Sequence, residues 1–548
     1  MTPEQIVKRQ EALDSERTSS VVQQWDDIER FVAPYRGDFY SNESSEDEVD
    51  WRIRSIYDST AVIAAQNLAA AIHSNLTSPS IMWFDLRFKL DGLNEDKIAT
   101  EWLEECGKSV WQALQESNFS LEIAEHYTDL TTMGTAALVE EMDDDEKKLI
   151  FQSVPIKELF FEEDSVGGIY RIYRKLLWTA VQIVDKFGEE DLPQQITDDL
   201  DKPESATNRH AVIFCIYPRK ERKDADTSKQ LAPSARPFGF KYILASAKEM
   251  LGEEGGYYEM PAYITRFRKT SGSKWGHAPG TDCMSMIMTA NEIRESSLEA
   301  LAKMVDPPLE AAEAGLFTDL DRSRGGVTMV RETGQIKPIH DVPRLDWAEN
   351  TIAALQKFIR ESFFQDQLDL KESPQMTATE VNARRQLMQR LLGPTLGRIQ
   401  SDLLDPVISR TFNILYREGL LPEIPPVVSE AGAQLDIEYT GPMPMAQKDS
   451  DAMAILDFMN VTAQMAEIFP DVRHLPDPVA AMREYAGVRG VPAKALNGKE
   501  DVDKAVEADK QAAEQAQQQA TMAQGAATLK DAGSGIASIG GVAQGGQQ

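Results

Sequence analysis

Two helical segments with a non-helical module between them constrain the fold of this chain more than any other feature of its sequence. In each segment, apolar and small residues recur at the spacing that places them on one face of a helix. Pro307 and Pro308 must end the first helix, because proline cannot continue one. The second helix is predicted to begin at a capping box formed by Asp346 and Glu349. The two faces consist of Met286, Ala290, Ile293, Ser297, Ala300, Leu301 and Met304, and of Ile352, Leu355, Ile359 and Phe363.

The module between these helices is predicted to be a small structural unit, because residues 305–345 exceed the ~12–15 residues of an ordinary loop. Strand-like residues occur in it at 327–330 and 335–339. A helix pair without a short connection is poorly suited to a self-contained globule. It suits the wall of a ring, where neighbouring copies bury each stripe in interfaces that commonly reach ~2,000 Å² or more.

The chain before residue 275 combines helices and strands. The predicted helices are 2–31, 58–75, 95–116 and 120–132, the first of them opened by a capping box of Thr2 and Gln5. The predicted strands are 136–141, 149–154, 168–177, 211–218, 238–244 and 257–267. The fold class is therefore α+β, and mostly helical once the rest of the chain is included.

After the second helix the pattern becomes polar over residues 365–376. Thr377 and Glu380 then form a capping box that opens a long helix to about residue 418. Kinks are predicted in this helix at Gly393-Pro394 and Asp405-Pro406, because an internal proline removes a backbone hydrogen bond. Further helices are predicted at 450–469 and 477–486, and the final Gly, Ala, Ser and Gln residues are predicted to be disordered.

The chain is strongly acidic, with a formal net charge of −32. Proteins that grip nucleic acid through its phosphates normally carry surplus Lys and Arg, so a tight duplex binder is disfavoured. An acidic chain can still line a passage through which DNA slides.

The length of the chain predicts more than one structural region. Its 548 residues exceed the ~250–300 residues of a single core.

Nothing in the sequence predicts a membrane anchor, secretion or a disulfide framework. The longest apolar-leaning stretch, residues 60–72, is shorter than the ~20 residues of a membrane span. The N-terminus lacks the basic and apolar regions of a signal peptide. Cys106, Cys215 and Cys283 lie far apart without zinc spacing, which is typical of a reducing compartment.

We expect no catalytic residue, no metal site and no cofactor. The chain lacks a P-loop motif, and its six histidines lack metal-ligand spacing. Asp143, Asp144 and Asp145 could suggest a magnesium site, but consecutive residues of a turn diverge instead of converging on one ion. A solvated hairpin turn is the favoured interpretation.

Two basic clusters receive different interpretations. A charge run is usually a solvated face, and this interpretation is favoured for the first cluster. The second lies in the module between the two helices and is predicted to be a surface for a partner protein. The first consists of Arg219, Lys220, Arg222 and Lys223, and the second of Arg322, Arg324, Arg331 and Lys337.

Short motifs follow one another in an informative order. In the first half they are Asp58-Ser59-Thr60-Ala61, Leu76-Thr77-Ser78-Pro79, Trp83-Phe84-Asp85-Leu86, Ser117-Asn118-Phe119 and Met133-Gly134-Thr135-Ala136. In the second half they are Tyr263 to Arg268, Trp275-Gly276, the helix 281–305 with its terminal Asp306-Pro307-Pro308, and Met376-Thr377-Ala378-Thr379-Glu380-Val381. Over residues 15–490 this order resembles the head-to-tail connector (portal) family of short-tailed phages.

The resemblance implies a ring-forming portal fold with named regions. They are a wing (1–275), a first stem helix (276–304), a clip (305–345), a second stem helix (346–364), a tunnel loop (365–376), a long kinked helix returning to the wing (377–445), crown helices (446–525) and a disordered tail (526–548). The resemblance also implies a ring of twelve copies at the capsid vertex of the virion, assembled in the host cytoplasm.

The same resemblance implies partners and site residues. Double-stranded DNA would be packaged and ejected through the ring, and the clip, with Arg322, Arg324, Arg331 and Lys337, would face the terminase motor and the tail adaptor proteins. Capsid and scaffolding proteins would be further partners. At physiological salt the Debye length is ~8 Å, so charged groups of the channel wall that lie further than this from the duplex are screened. Only groups that protrude into the channel then act on the DNA. The residues of the tunnel loop expected at the channel are Gln365, Gln367, Lys371, Glu372, Ser373 and Gln375.

Two other functions remain open at this point. A metal-dependent nuclease could use Asp143 to Asp145, and an internal scaffold or ejected virion protein would fit the acidic charge and the Ala/Gln-rich tail. Neither explains the order of helix, module, helix, loop and long helix. The portal interpretation is therefore favoured.

Overall fold

We analysed a computed structural model of the chain. It describes residues 1–35, 51–94, 96–143, 146–189, 192–200, 202, 208–222, 230–305, 309–311, 336–338, 345–365, 392–431, 435–439, 442–469, 471–472, 475–489, 491, 495–498, 502, 504–513, 515–516 and 518. Two compact units are present. The first comprises Met1–Trp83, Ser109–Leu421 and Tyr439–Ala446, and the second Phe84–Lys108, Pro422–Glu438 and Gln447–Gln548.

The secondary structure is a mixture of helices and strands, as the predicted α+β class requires. The helices are α1 (Pro3–Ser20), α2 (Val22–Phe31), α3 (Thr60–Leu76), α4 (Asp91–Asn94), α5 (Lys97–Glu116), α6 (Phe119–Met133), α7 (Ala180–Phe187), α8 (Gln194–Leu200), α9 (Pro279–Asp282), α10 (Met284–Val305), α11 (Leu345–Ser362), α12 (Asp405–Arg417), α13 (Pro426–Ala431), α14 (Pro442–Ile468) and α15 (Pro478–Val488). The strands are β1 (Phe84–Phe88), β2 (Thr135–Met142), β3 (Leu149–Val154), β4 (Leu159–Glu163), β5 (Ile169–Thr179), β6 (Arg209–Pro218), β7 (Phe238–Leu244), β8 (Glu249–Tyr257), β9 (Ala262–Arg266), β10 (Leu309–Ala311), β11 (Ile336–Pro338) and β12 (Leu435–Tyr439).

The first helix begins as predicted but ends earlier. Thr2 and Gln5 form the capping box at the start of α1. The prediction of one helix to residue 31 was wrong, because the backbone leaves the helical region at Val21 and α2 follows it. Just before this break, the hydroxyls of Ser19 and Ser20 donate to the backbone carbonyls of Glu16 and Arg17. Serine and β-branched residues are weak helix formers, which explains the interruption.

A five-stranded antiparallel sheet has the order β4-β5-β6-β7-β8. Helix α1 covers part of it, and Ile6, Val7 and Leu13 belong to the same core as residues of β4 to β7. The predicted strand 257–267 was wrong as a single element, because β8 ends at Tyr257 and β9 belongs to another sheet. Strand β4 and most of β8 were not predicted from the sequence.

A three-stranded sheet has the order β3-β2-β9 and contains the predicted hairpin. Helix α6 leads directly into its central strand β2 through Gly134, whose φ of +79° favours glycine. A Cβ at Gly276 would lie 2.1 Å from the carbonyl oxygen of Gly134. Two motifs that are far apart in sequence therefore meet where their backbones touch.

Helices α10 and α11 correspond to the two predicted helical segments. The predicted capping box of the second was wrong, because the helix begins at Leu345 and Asp346 lies in its first turn. Between them, β10 and β11 pair antiparallel. The predicted strand 335–339 is confirmed by β11, and residues 327–330 lie outside the described residues.

The long helix predicted from residue 377 is described from residue 392 onward. A π-helical turn over Gln400–Leu404 lies directly before α12, and the kink predicted at Asp405-Pro406 stays a prediction. Helix α13 and strand β12 follow and were not predicted. Strand β12 pairs with β1.

The predicted C-terminal helices are present with shifted bounds. Helix α14 starts at Pro442, earlier than the predicted residue 450. Helix α15 is capped by Asp477, which accepts hydrogen bonds from the backbone amides of Val479 and Ala480. Within the described part of the chain, no helix combines the length and apolar character that crossing a membrane would require.

Candidate functional site at the paired helices

The paired helices α10 and α11 are packed into the first unit at one end. Phe363, just after α11, is fully buried, and a Cβ at Gly280, just before α10, would lie 3.4 Å from its ring. Ile352 and Ile359 of α11 are also buried. The predicted stripe of α11 is therefore confirmed as a packing face.

The other end of the pair is exposed. On α10, Leu298 and Leu301 are exposed by more than two fifths and Val305 by 85%. On α11, Trp347 is 71% exposed. A single chain thus leaves large apolar side chains in contact with water at this end, which is unusual for a monomeric protein.

The predicted face of α10 is covered within a single chain along only part of the helix. Ala290 and Ser297 are buried as predicted, together with Ile287 and Asn291. Leu301 and Met304 are exposed in a single chain, so their burial against neighbouring copies stays a prediction. Helical periodicity identifies an apolar stripe but does not indicate how far along the helix the chain covers it.

Asp58 links both helices to the start of α3. Its two carboxylate oxygens accept hydrogen bonds from the Gln356 side chain of α11 at 2.7 Å and from the backbone amide of Thr60 at 2.9 Å. The side-chain oxygen of Asn291 on α10 accepts from the backbone amides of Tyr57 at 2.7 Å and Asp58 at 3.1 Å. We call Asp58, Asn291 and Gln356 the amide knot.

The amide knot extends to the residues just before it. The side-chain nitrogen of Asn291 donates to the backbone carbonyl of Ser55 at 3.1 Å. The Tyr57 hydroxyl bonds to the Glu295 carboxylate of α10, and this bond raises the pKa of Tyr57. Since Asn291 and Asp58 are buried, these bonds fix the position of α10 relative to α3.

The motifs around Gly134 and Trp275 form a second contact. The backbone amide of Gly276 donates to the Thr135 hydroxyl at 2.8 Å. The Trp275 ring packs edge-on against Trp25 and Phe161, with centroid distances of 4.9 and 4.7 Å. This contact holds the segment that leads into α10 against β2.

Helix α12 is attached to β2 by a buried ionic cluster. Glu140 is fully buried, and its carboxylate accepts hydrogen bonds from the hydroxyls of Tyr263 and Thr411, the latter at 2.9 Å. Arg410 lies 3.4 Å from the same carboxylate and donates to the Glu140 backbone carbonyl at 2.5 Å. Burial raises the pKa of Glu140, and the Arg410 charge opposes that rise. We call Glu140, Tyr263, Arg410 and Thr411 the ionic anchor.

Further ion pairs lie before and after the ionic anchor along the same helical segment. Arg417 contacts both carboxylate oxygens of Glu259, at 2.7 and 2.8 Å. Asp402, in the π-helical turn, lies 3.9 Å from Arg266. Burial raises the pKa of Asp402. The π-helical turn and α12 are therefore held to β2, β9 and the loop that joins β8 to β9.

The predicted channel residues are described at one position. Gln365 is partly buried just beyond α11, whereas Gln367, Lys371, Glu372, Ser373 and Gln375 lie outside the described residues. Among the predicted clip residues, Arg322, Arg324 and Arg331 also lie outside them. Lys337 stands opposite Glu310 in the β10–β11 pair. These residues remain predictions.

One residue of the other basic cluster, Arg219, and one of the acidic turn, Asp143, have structural partners, and Lys223, Asp144 and Asp145 lie outside the described residues. Arg219 contacts the Glu254 carboxylate at 2.6 Å and donates to the Gly255 carbonyl at 2.9 Å. The side chain of Asp143 accepts from the Glu146 amide, as in an ordinary turn. In the described parts of the chain, no group of three or more His, Cys, Asp or Glu residues could hold a metal ion.

Sequence reasoning missed the residues that anchor the helices. Asn291 interrupts an apolar helix face, and Glu140 interrupts the apolar run of β2. A polar residue at a core position needs a partner, and that signal could have identified both. Their partners Gln356 and Arg410 lie far away in sequence and could not have been assigned.

Comparison with known proteins gives a consistent result. The profile of the family described as "Bacteriophage head to tail connecting protein" matches residues 4–496. The chain is 26% identical to the "Probable portal protein" of Bordetella phage BPP-1 over 89% of this chain and 87% of that protein. It is 25% identical to the "Portal protein" of Salmonella phage epsilon15 over 96% and 94% of the two chains.

Two solved structures are similar to this chain with lower sequence identity. One comes from the virion of a native gene transfer agent particle, with a TM-score of 0.36, 10% identity and coverage of 74% of this chain and 87% of that chain. The other comes from the neck of an empty gene transfer agent particle, with a TM-score of 0.37, 10% identity and coverage of 74% and 88%.

Proposed function

The chain belongs to the bacteriophage head to tail connecting protein family and has the portal function, a structural role in the phage particle, and from this premise we propose which of its surfaces build the ring. Copies of the chain pack side by side through the exposed ends of α10 and α11. The number of copies expected is twelve, as the family resemblance implies.

One observation carries this proposal. The pair is buried at the end that holds Phe363 and exposed at the end that holds Val305 and Trp347. Large apolar side chains at the exposed end favour association, because each Å² of apolar surface that another protein surface covers stabilises the complex by about 25 cal/mol. Neighbouring copies in a ring provide such a surface without any other protein.

The remaining regions follow the family arrangement. Residues 305–345 act as the clip, which docks the terminase motor and the tail adaptor proteins through Arg322, Arg324, Arg331 and Lys337. Residues 365–376 act as the tunnel loop, in which Lys371 offsets nearby carboxylates. Double-stranded DNA is then packaged and ejected along an acidic wall that holds it weakly.

The proposed place of the chain is the portal vertex of the virion. There the crown helices of residues 446–525 meet the interior, and capsid and scaffolding proteins contact the ring during assembly in the host cytoplasm. The acidic character of the chain supports this role, because most of its binding surfaces face proteins and not phosphates.

Negative-stain electron microscopy of the full chain tests the proposal. We expect rings with a central hole, and we expect Leu298→Asp combined with Leu301→Asp to reduce them strongly, because carboxylates are costly to bury. A matched control, Glu299→Asp, keeps the charge of the same helix. Compact monomers of the unsubstituted chain would contradict the proposed function.

A further inference from the structure

Strand β3 forms one edge of the three-stranded sheet, and its sequence is well suited to pair with a further strand. Its six residues, Leu-Ile-Phe-Gln-Ser-Val, contain no charge, no proline and no glycine. Short segments of this composition stack into cross-β aggregates when their edge is free. The strand also has an exposed apolar side chain, because Ile150 is 46% exposed. An open edge at β3 would therefore favour association between copies of the chain.

Side chains already bond to the outward backbone groups of β3. Phe151 lies opposite Glu140 of β2, and its amide donates to the side-chain oxygen of Asn118 at 2.8 Å. The side-chain nitrogen of Asn118 donates to the Phe151 carbonyl at 2.7 Å. The amide of Ser153 donates to the Glu122 carboxylate at 2.7 Å. A neighbouring strand would bond to alternate residues in the same way.

Asn118 makes this contact and does not cap its own helix. It lies directly before α6, where asparagine usually accepts a hydrogen bond from the helix backbone, but its side chain makes no capping bond. Instead, the hydroxyl of Ser117 accepts from the backbone amide of Phe119 at 3.1 Å. The Phe119 ring packs edge-on against Phe151, with a centroid distance of 5.0 Å. The motif Ser117-Asn118-Phe119 thus attaches the corner between α5 and α6 to β3.

The residues that flank β3 also oppose strand pairing. Lys147 and Lys148 precede the strand, and Pro155 follows it. Lysine and proline beside an apolar strand are a common means by which proteins hinder aggregation. Asn118 and Glu122 act between these flanks, at the middle of the strand. The ends and the middle of β3 are therefore protected in different ways.

We propose that Asn118 and Glu122 hold the start of α6 in the place of a fourth strand and so prevent β3 from pairing with β3 of another copy. We call these two residues the edge closure. Loss of both would leave the amides of Phe151 and Ser153 and the carbonyl of Phe151 without their partners. The proposal does not depend on the proposed ring.

Hydrogen exchange of the full-length chain, measured by mass spectrometry, tests whether these side chains protect the edge. In Asn118→Leu/Glu122→Leu, peptides covering residues 149–154 should exchange about tenfold faster or more, because two of their amides lose an acceptor. Glu122→Gln keeps an acceptor for Ser153 and should exchange like the unsubstituted chain. Unchanged exchange in the double variant would show that other groups protect β3.

Seeded aggregation tests whether the closed edge prevents pairing. The probe is a synthetic peptide of residues 147–155, assembled into fibrils and followed by thioflavin T fluorescence. The fibrils should recruit the full-length double variant about fivefold faster or more than the unsubstituted chain, because each lost hydrogen bond opens part of the edge. A peptide that forms no fibrils would remove the premise that β3 is prone to pair.

A matched control separates an open edge from a general loss of stability. Asn291→Leu makes the same kind of substitution in the amide knot, whose contacts do not involve β3. It should destabilise the fold but leave recruitment by the fibrils at the level of the unsubstituted chain. Urea denaturation compares the stability of the two variants. Equal recruitment of Asn291→Leu and the double variant would mean that partial unfolding causes pairing, and it would overturn the proposal.

Discussion

The paired helices and helix α12 are attached to the first unit by different chemistry. In the amide knot, the side chains that reach the start of α3 from the paired helices are neutral amides, Asn291 and Gln356, and they are attached by hydrogen bonds. In the ionic anchor, Arg410 and Glu140 bring opposite charges into a fully buried site. Loss of a neutral group leaves an unsatisfied hydrogen bond, whereas loss of one buried charge leaves the other uncompensated. The attachment of α12 should therefore depend more on a single residue than the attachment of the paired helices does.

The largest expected effect is at Arg410. Arg410→Met should lower the free energy of unfolding by about 3–5 kcal/mol, because Glu140 would stay buried without its counter-charge. Urea denaturation monitored by circular dichroism measures this loss. Arg222→Met, at an exposed arginine, is the matched control.

A double variant sharpens the same test. Glu140→Gln combined with Arg410→Met removes both charges and should recover part of the lost stability. If Arg410→Met were no more harmful than Arg222→Met, the two regions would not differ in the way the burial of Glu140 indicates.

A smaller loss of stability is expected when the pH is lowered, because a buried histidine lies near the ionic anchor. His126 of α6 lies under the same sheet, with its ring 3.2 Å from the Thr265 hydroxyl, and burial lowers its pKa to about 4. The unfolded chain binds a proton below pH 6.5 that the folded chain does not bind until about pH 4. Stability is therefore full above pH 6.5 and is lost as the pH falls.

The measurement compares two proteins at two pH values. Between pH 7 and pH 5, His126 should contribute a loss of about 2 kcal/mol that His126→Gln lacks. Equal losses in both proteins would mean that His126 is not held neutral. The amide knot contains no histidine, so substitutions there should not change this pH dependence.

Next in size is the amide knot itself. Asn291→Leu should cost about 1–2 kcal/mol, because the backbone amides of Tyr57 and Asp58 lose their acceptor. Gln356→Leu removes a single bond to Asp58 and should cost less. A thermal shift larger for Gln356→Leu than for Asn291→Leu would reverse this order and refute the assignment of Asn291 as the central residue.

The smallest effect on stability is expected at the exposed end of the pair. Trp347→Ser should change the free energy of unfolding by no more than about 0.5 kcal/mol, because the side chain is 71% exposed in one chain. It should nevertheless weaken ring assembly, measured by native mass spectrometry. Lys357→Ser is a control at an exposed residue of the same helix. Unchanged assembly would show that Trp347 is not covered in the ring.

Local patterns in the sequence predicted many elements correctly. The capping box of α1 and the hairpin of β2 and β3 depend on residues within a few positions of one another. The helical stripes of α10 and α11 have the same local origin. Predictions failed where the deciding interaction was not local, as in the predicted strand 257–267, which joined the last residue of β8 to β9 although these strands belong to different sheets.

By itself, the sequence determined the α+β class, the acidic charge, the two long helices with a module between them and the order of family motifs. Only the tertiary structure decided which part of each apolar stripe is covered and which polar residues meet. Periodicity depends on the geometry of one helix, whereas burial and pairing depend on segments hundreds of residues apart, such as Asp58 with Gln356. For that reason the two helices could be predicted from residues alone, but the contacts that anchor them could not.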